Sequence, residues 1–334
     1  MIINGYLDAK VLSTDPGVKL LSVGLEGTFM FTSYHNFLVH EIEIFGQMDV
    51  FNPIVFRGQM IEKVETLTIG ENGLLTLDFN AQSSKTWTGV SEIPLHYAYI
   101  KGELKAGRMI NHMMNETDEG WNYMYLHNGS STFEFETDDP FLLDTADING
   151  TFKSYKPIAI RAFTPGNPLA IFVGWVGHVQ FDSERSHPIG PFSSNSSIIG
   201  VKFTTDTSSL FQAGNTHFVL DNLEIGGTMY AQPESTVEIK KFVITSSGAV
   251  NITTPINLRG ETLDNSGTLD IDYRRWPENT DEGNEKTNIY MEKVIISGSL
   301  QAGSLYIETG EVTISGNLDI NGGGYLTNTG PGVD

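Results

Sequence analysis

A short segment after residue 181 contains the side chains best suited to catalysis. Asp182, Glu184, Arg185 and His187 follow the apolar pattern of residues 173–181. Alternate residues of an extended strand share a side, so Asp182 and Glu184 would point the same way. Two such carboxylates could act as general acid and general base on a glycosidic bond. Turns after strands are rich in charge without any catalytic role, so these four residues are candidates only, and we favour a protein that is not an enzyme.

Aromatic side chains suggest a second kind of site. Trp121, Tyr123, Tyr125 and Trp175 could stack on sugar rings, which would make carbohydrate a partner. The same residues would serve equally well as packing in a core or a loop. The alternative of a carbohydrate site therefore stays open beside that of simple packing.

Metal and cofactor sites are not indicated. No two of the eight histidines lie in a His-x-His or His-x-x-x-His arrangement, which argues against zinc. Segments 136–147 and 264–272 are rich in Asp and Asn, but neither has the ligand spacing of an EF-hand. We predict no cofactor, and calcium stays an alternative without an assigned site.

Five Asn-x-Ser/Thr sequons occur, and they matter if the protein is secreted by an organism that glycosylates asparagine. Asn115, Asn128 and Asn195 lie where the strand pattern is interrupted, so we expect them to be accessible. Asn149 and Asn251 lie in or beside strands, so we expect them to carry a glycan less readily.

The elements that would position these residues are indicated by a recurring seven-residue phrase, apolar-x-apolar-x-Gly-x-apolar. Examples are VGLEGTF from Val23, IEIFGQM from Ile42, AYIKGEL from Ala98, VIISGSL from Val294 and VTISGNL from Val312. Two apolar residues two positions apart face one side of a strand, and glycine then permits a backbone angle that other residues resist. Short strands that turn in this way wind into a coil whose successive turns stack in parallel. The phrase predicts an all-β fold, a right-handed parallel β-helix.

We expect one elongated domain over residues 1–334, with a weaker alternative of a subdivision near residue 108. Loop insertions are predicted near 109–140, 182–197 and 273–288, where the phrase is absent, with a strand inside the first at Phe133 and Phe135. The alternative fold is an antiparallel sandwich. Few tight-hairpin dipeptides occur and the phrase repeats in one direction, so we favour the β-helix.

Composition restricts the partners. The net charge of −21 disfavours nucleic acid and anionic membrane surfaces. The chain has no cysteine, which excludes disulfides and thiolate chemistry. No apolar run approaches eighteen residues, so no membrane insertion is predicted, and the first residues lack the pattern of a signal peptide. We expect an intracellular protein or a mature or excised segment of a secreted one.

Three segments carry a resemblance to known proteins: VGWVGHVQFDSERSHPIGP, YIKGELKAG and the closing SGNLDINGGGYLTNTGPG. They resemble the pectin-lyase-like, Gly-rich β-helical repeats of large eukaryotic extracellular and cell-surface proteins. The first two are also similar to Gly-rich domains of hyaluronan-processing surface proteins, which usually contain cysteines, so no catalytic residue is carried over. The resemblance implies an extracellular or cell-surface location within a fibre or coat.

We therefore predict a non-enzymatic structural component of an extracellular filament, surface appendage or adhesive coat. It would assemble with copies of itself or homologous subunits through the ends or faces of the β-helix. Val312, Ile314, Leu318 and Ile320 precede no polar cap, so we expect the coil to continue into more chain or against a neighbouring subunit. A carbohydrate-active enzyme or carbohydrate-binding module is one alternative, and a viral or phage fibre is another.

Overall fold

The computed structural model describes the chain in sixteen ranges, and within them it is all-β, with no helix. The residues group into two compact units, which are treated separately below. Unit 1 is Met1–Leu169 with Val176–Gly190, and unit 2 is Ala170–Trp175 with Pro191–Asp334. The described ranges are 1–9, 17–32, 36–58, 63–77, 90–112, 120–136, 141–155, 159–161, 170–173, 178–180, 196–205, 210–233, 236–252, 255–271, 287–320 and 324–328.

The strands of unit 1 are short. They are β1 (Ile2–Ile3), β2 (Tyr6–Ala9), β3 (Val18–Val23), β4 (Thr28–Phe31), β5 (Asn36–Ile44), β6 (Gln47–Val50), β7 (Val55–Arg57), β8 (Val64–Ile69), β9 (Leu74–Leu77), β10 (Ser91–Glu92), β11 (Leu95–Ile100), β12 (Glu103–Ile110), β13 (Trp121–Leu126), β14 (Thr132–Glu136), β15 (Phe141–Ile148), β16 (Thr151–Ser154), β17 (Ala159–Arg161) and β19 (His178–Gln180).

These strands form parallel ladders in which each strand pairs with one from the next repeat. The first ladder runs β1, β3, β5, β8, β11, β13, β15 and β17. The second runs β2, β4, β6, β9, β12, β14, β16 and β19. A shorter third ladder joins β5, β7, β10 and β12. Parallel pairing of this kind requires every connection to return the chain to the same end of the sheet.

The strands of unit 2 follow the same scheme. They are β18 (Ala170–Val173), β20 (Ser196–Thr205), β21 (Leu210–Ile225), β22 (Thr228–Pro233), β23 (Thr236–Ile244), β24 (Ala249–Ile252), β25 (Asn257–Asn265), β26 (Thr268–Ile271), β27 (Thr287–Ile296), β28 (Ser299–Ala302), β29 (Leu305–Ile314), β30 (Asn317–Ile320) and β31 (Gly324–Asn328). One parallel ladder runs β18, β20, β21, β23, β25, β27, β29 and β31. The other runs β21, β22, β24, β26, β28 and β30.

The core of each unit is built from alternate strand residues. In unit 1 it includes stacked aromatic rings: Trp121 lies 5.6 Å from Phe133, and Phe133 lies 4.6 Å from Phe135. Phe141 and Phe152 complete this cluster, and all five side chains are fully buried. Aromatic pairs at these separations stabilise a core beyond the area that they bury. In unit 2 the core is mainly aliphatic, as in Ile244, Leu263 and Val294, with Phe242 buried in register with Leu263.

A buried asparagine extends the hydrogen bonding between strands in unit 1. Asn111 Nδ2 donates to Leu142 O at 2.6 Å, and Leu142 N donates to Asn111 Oδ1 at 3.0 Å. The side-chain amide therefore satisfies both backbone groups of Leu142, as a neighbouring strand would. Asn111 is fully buried, so these two bonds have no water to replace them.

The turns that follow the long strands contain stacked glycines, which we call the glycine ladder. In unit 1 its members are Gly5, Gly27, Gly46, Gly73 and Gly102. The residue after each of the last four glycines donates its N–H to the glycine carbonyl of the preceding repeat, as in Gln47 N to Gly27 O at 2.9 Å. A Cβ on Gly46 would lie 2.3 Å from Gly27 O and 2.3 Å from Gly24 O. Any side chain here would therefore push successive turns apart.

This observation corrects the reason that we gave for the glycines. We expected them to supply an unusual backbone angle. Among the described residues only Gly17 has a positive φ, of 109°. The ladder glycines after Gly5 are needed because turns of neighbouring repeats approach too closely for a Cβ.

The predicted all-β class and the parallel stacking are confirmed, and the antiparallel sandwich is wrong because every described pairing is parallel.

The prediction of a loop insertion over 109–140 needs correction. The expected strand at Phe133 and Phe135 is present as β14, but β13 also lies in this segment and pairs in register with β11 and β15. Most of the other two predicted insertions, residues 182–195 and 273–286, lies outside the described residues. β12 runs through residue 108, and the division between the two units lies further along the chain.

Candidate functional site

Several predicted site residues lie outside the described ranges. These are Asp182, Glu184, Arg185 and His187, together with Trp175, Asn115 and Asn195. Their proposed roles stay predictions.

The three other sequons are placed. Asn128 lies in the turn after β13, where its Oδ1 accepts hydrogen bonds from Ser130 N at 3.0 Å and Ser130 Oγ at 2.6 Å. Asn149 directly follows β15, and Asn251 is a half-buried residue of β24. Glycan attachment at these positions stays a prediction.

Trp121 is not available for sugar stacking. Its side chain is fully buried in the aromatic core, and its Nε1 donates to Ile93 O at 2.6 Å. Trp121, Met124 and Leu126 of β13 are buried, and the three-residue step from Trp121 to Met124 interrupts the alternation of the strand. Tyr123 and Tyr125 are less buried and lie on the outer side of the strand.

Four tyrosines form a block on this outer side, which we call the tyrosine platform. Tyr97 and Tyr99 of β11 pair in register with Tyr123 and Tyr125 of β13. The Tyr97 and Tyr99 rings are nearly parallel, with centroids 6.4 Å apart, and Tyr99 lies 6.1 Å from Tyr123. Tyr97 is 40% exposed and the other three are partly exposed. Sequence analysis identified only the β13 half, because the in-register β11 pair lies 26 residues earlier in the chain.

Hydrogen bonds fix the β13 half of the platform. The Tyr123 hydroxyl donates to Asp147 Oδ2 at 2.5 Å, and the Tyr125 hydroxyl lies 3.1 Å from His127 Nδ1. Burial, together with this hydrogen bond to the Asp147 carboxylate, raises the pKa of the Tyr123 phenol well above its ordinary value. The Tyr123 phenol therefore stays neutral at physiological pH, and it keeps its hydrogen bond to Asp147.

Polar groups border the platform. Thr66 and Thr68 of β8 flank the Tyr97 and Tyr99 pair, and Glu41 and Glu43 of β5 lie one strand further out. On the other side Thr145 and Asp147 of β15 flank the β13 pair. The platform is thus a small aromatic surface edged by hydroxyls and then by carboxylates.

A polar cluster lies at one end of the platform. Lys63 Nζ donates to Gly120 O at 2.9 Å and to Asn122 Oδ1 at 3.2 Å. His96 Nδ1 lies 3.0 Å from the same Asn122 oxygen, and the His96 ring lies 6.4 Å from the Tyr97 ring. Lys63 is buried, so this cluster orients His96 and Asn122 rather than presenting a surface cation.

Two ladder edges form a second candidate surface. β1 and β2 are each paired on one side only within the described residues, and so are β30 and β31. Ile314 is 38% exposed although Ile296, its in-register partner in the preceding repeat, is fully buried. Leu326 of β31 is 51% exposed. The β30–β31 edge therefore presents apolar side chains and unpaired backbone groups together.

A shallow cavity of about 350 Å³ lies in unit 2, beside the middle of β25, β27 and β29. Its lining is Gly260, Tyr290, Met291, Glu292, Glu308, Thr309 and Gly310. The Tyr306 hydroxyl donates to Glu308 Oε2 at 3.3 Å, and Arg259 lies over the Tyr290 ring. This lining places the carboxylates of Glu292 and Glu308 near the Thr309 hydroxyl, which donates to Glu311 O at 2.8 Å.

No protein-family model matches the chain, and no curated protein or solved structure does. Within the described ranges, no group of three or more His, Asp or Glu side chains is placed to hold a metal ion. Within the same ranges, no helix has the length and apolarity to span a membrane. The site must therefore be interpreted from its own geometry.

Proposed function

We propose that each unit is a right-handed parallel β-helix and that the protein is a non-enzymatic structural component that assembles end to end with copies of itself. The parallel ladders and the stacked turns support the β-helix, and the strong preference of parallel crossovers for one hand supports right-handedness. Together with the sequence resemblance, end-to-end assembly favours a role in an extracellular filament, surface appendage or adhesive coat.

One observation carries this proposal: the two edges that have no further partner strand within the described residues share the same spacing of apolar residues and glycine. Residues 3, 5, 7 and 9 are Ile, Gly, Leu and Ala, and residues 314, 316, 318 and 320 are Ile, Gly, Leu and Ile. In both segments the glycine lies in the turn just before a four-residue strand, β2 or β30. A second copy could therefore place β2 on β30 in the register that the ladders use throughout.

The open positions next to β31 support the same head-to-tail pairing of copies. β31 pairs with the first half of β29, while among the described residues no strand of the next repeat pairs with the second half of β29 or with β30. β1 and β2 of a second copy would occupy these two open positions. Ile3 would then cover Ile314, and the covered area would contribute about 1 kcal/mol for each apolar side chain.

This head-to-tail pairing also creates an unfavourable contact. Asp8 of one copy would lie beside Asp319 of the next, because each follows the leucine of its strand. Like charges directly opposite each other destabilise a sheet. Salt should weaken this repulsion, so assembly should increase with ionic strength. Head-to-tail contacts between different surfaces are those that produce open filaments.

Gly5→Ala tests the proposal without disturbing the fold. Nothing lies within 4 Å of a Cβ at Gly5, so an isolated copy should tolerate alanine. In the assembly the same Cβ would meet the turn of the neighbouring copy, as one on Gly46 would meet Gly27. Light scattering on a size-exclusion column, over a series of concentrations, should show oligomers for the natural chain and monomers for Gly5→Ala.

Leu318→Lys places a charge in the proposed contact and should also give monomers. Ile295→Lys is the matched control, because Ile295 is a half-exposed residue on the outer side of β27, which is paired with β29 and lies one strand inside the open edge. It should assemble as the natural chain does. A natural chain that stays monomeric at every concentration, or a Gly5→Ala variant that assembles normally, contradicts the proposal.

A further inference from the structure

We propose that the tyrosine platform binds an uncharged polysaccharide. This inference is independent of end-to-end assembly, since the platform lies on the outer side of β11 and β13 and uses no residue of the open edges. It assigns a binding surface to unit 1 and gives an assembled protein a means of attachment.

The chemistry of the platform suits sugar rings. A pyranose has an apolar face of C–H groups and a rim of hydroxyls. Tyrosine rings supply flat apolar surface with a polar tip. The threonine hydroxyls of β8 and β15 lie beside the rings, and they can donate to or accept from the rim. The arrangement therefore offers both contacts that an uncharged sugar needs.

The platform is also organised in advance. Tyr123 and Tyr125 are held by Asp147 and His127, and all four rings stand on paired strands. Paired residues on neighbouring strands lie about 5 Å apart, and alternate residues along a strand about 7 Å apart. A ligand would pay little for ordering such a surface.

Size argues against a protein as the occupant. Four tyrosines of about 150–250 Å² each, none more than 40% exposed, present roughly 300 Å². A stable protein interface buries about 800 Å² on each partner. The threonines at the border add little apolar area. A few sugar units need only the smaller surface.

Charge argues against an acidic polysaccharide. Asp147 touches the platform through Tyr123, and Glu41 and Glu43 lie two strands from Tyr97 and Tyr99. Lys63, at one end of the platform, is buried and bonded to Gly120 and Asn122. Lys101, two residues after Tyr99, is partly exposed, so the three carboxylates Asp147, Glu41 and Glu43 face one such lysine in this part of the sheet. A glycan that carries carboxylates or sulfates would be repelled by this border, as it would by the net charge of −21.

The test uses the full chain and a panel of defined polymers. Cellulose, chitin, xylan, mannan and β-1,3-glucan represent uncharged chains, while pectate and hyaluronan represent acidic ones. Depletion of the protein from solution by insoluble polymers, and calorimetry with soluble oligosaccharides, measure binding. We expect at least one uncharged polymer to bind and both acidic polymers to fail.

The variant Tyr97→Thr with Tyr99→Thr removes half of the platform. Threonine already occupies the in-register positions 66 and 68 on β8, so the strand should tolerate it. We expect binding to weaken by about tenfold or more. Tyr230→Thr is the control, because Tyr230 is 47% exposed on β22 and lies in unit 2. It should bind as the natural chain does.

Circular dichroism would establish that both variants are folded. Should the double variant fail to fold, Tyr125→Thr, at the other corner of the platform, replaces it. Failure of every uncharged polymer, undiminished binding by the platform variants, or preferred binding of pectate or hyaluronan overturns the inference. None of these results bears on oligomer formation, so failure here is distinguishable from failure of the assembly proposal.

Discussion

The close stacking of turns predicts that alanine at an internal position of the glycine ladder is strongly destabilising. Gly46→Ala places a Cβ 2.3 Å from the carbonyl oxygens of Gly24 and Gly27. Restoring ordinary contact requires a shift of about 1 Å between the two turns. Gln47 N donates to Gly27 O at 2.9 Å, and this bond would lengthen. Strain and weakened hydrogen bonding together should cost roughly 2–4 kcal/mol.

Gly5→Ala is the matched control for this substitution. Gly5 holds the same position in the ladder, since its carbonyl accepts from Thr28 N at 2.9 Å, but nothing lies within 4 Å of a Cβ there. Alanine should leave stability unchanged or raise it by about 0.5 kcal/mol, because it restricts the unfolded chain.

Urea unfolding of both variants, followed by circular dichroism at a concentration where the chain is monomeric, measures the difference. We expect the midpoint of Gly46→Ala to fall by about 1 M relative to Gly5→Ala. Equal midpoints would contradict the explanation by close stacking, because a preceding turn lies beside a Cβ at position 46 and none lies beside one at position 5. Crowding would then not be the reason for glycine at these positions.

Three further predictions follow from individual contacts. Asn111→Ala should lower the free energy of unfolding by about 2–4 kcal/mol, measured by urea unfolding, because both buried backbone groups of Leu142 lose their partner; a loss below about 0.5 kcal/mol contradicts this. Asp147→Asn should bring the pKa of Tyr123 down towards its ordinary value of 10.0, seen as easier phenolate formation in an ultraviolet pH titration. Because the folded-state pKa is raised, the stabilisation is fully present below pH 10.0 and is lost as the pH rises towards the raised pKa; an unchanged titration contradicts the assignment. Asp8→Asn should strengthen self-association and reduce its dependence on salt in sedimentation velocity, and an unaltered salt dependence contradicts the proposed register.

The parallel ladders could be predicted because the phrase encodes both burial and turning. Ile42, Ile44 and Met48 are buried as the apolar positions of the phrase require. The reason for its glycine could not be obtained in the same way. The atoms that a Cβ would meet belong to the preceding repeat, about 20 residues away, and their approach depends on how closely the turns stack.

β13 was missed because its alternation is interrupted after Trp121 and because its outer residues are aromatic. Trp121, Met124 and Leu126 are buried, but Tyr123 and Tyr125 between them are aromatic rather than polar. A pattern of apolar and polar residues cannot then be seen. The tyrosines that stand on the outer side of β13 in place of polar residues form half of the tyrosine platform. Its other half, Tyr97 and Tyr99, becomes a neighbour only through the register of β11 on β13.

The most direct test of end-to-end assembly is a cryo-electron microscopy map of the assembled natural chain at a resolution that separates strands. We predict that the strand spacing of about 4.8 Å continues across the junction between copies, with β2 of one copy parallel to β30 of the next and Leu7 against Leu318. A junction formed through the outer faces of the sheets, or through antiparallel edges, would contradict it.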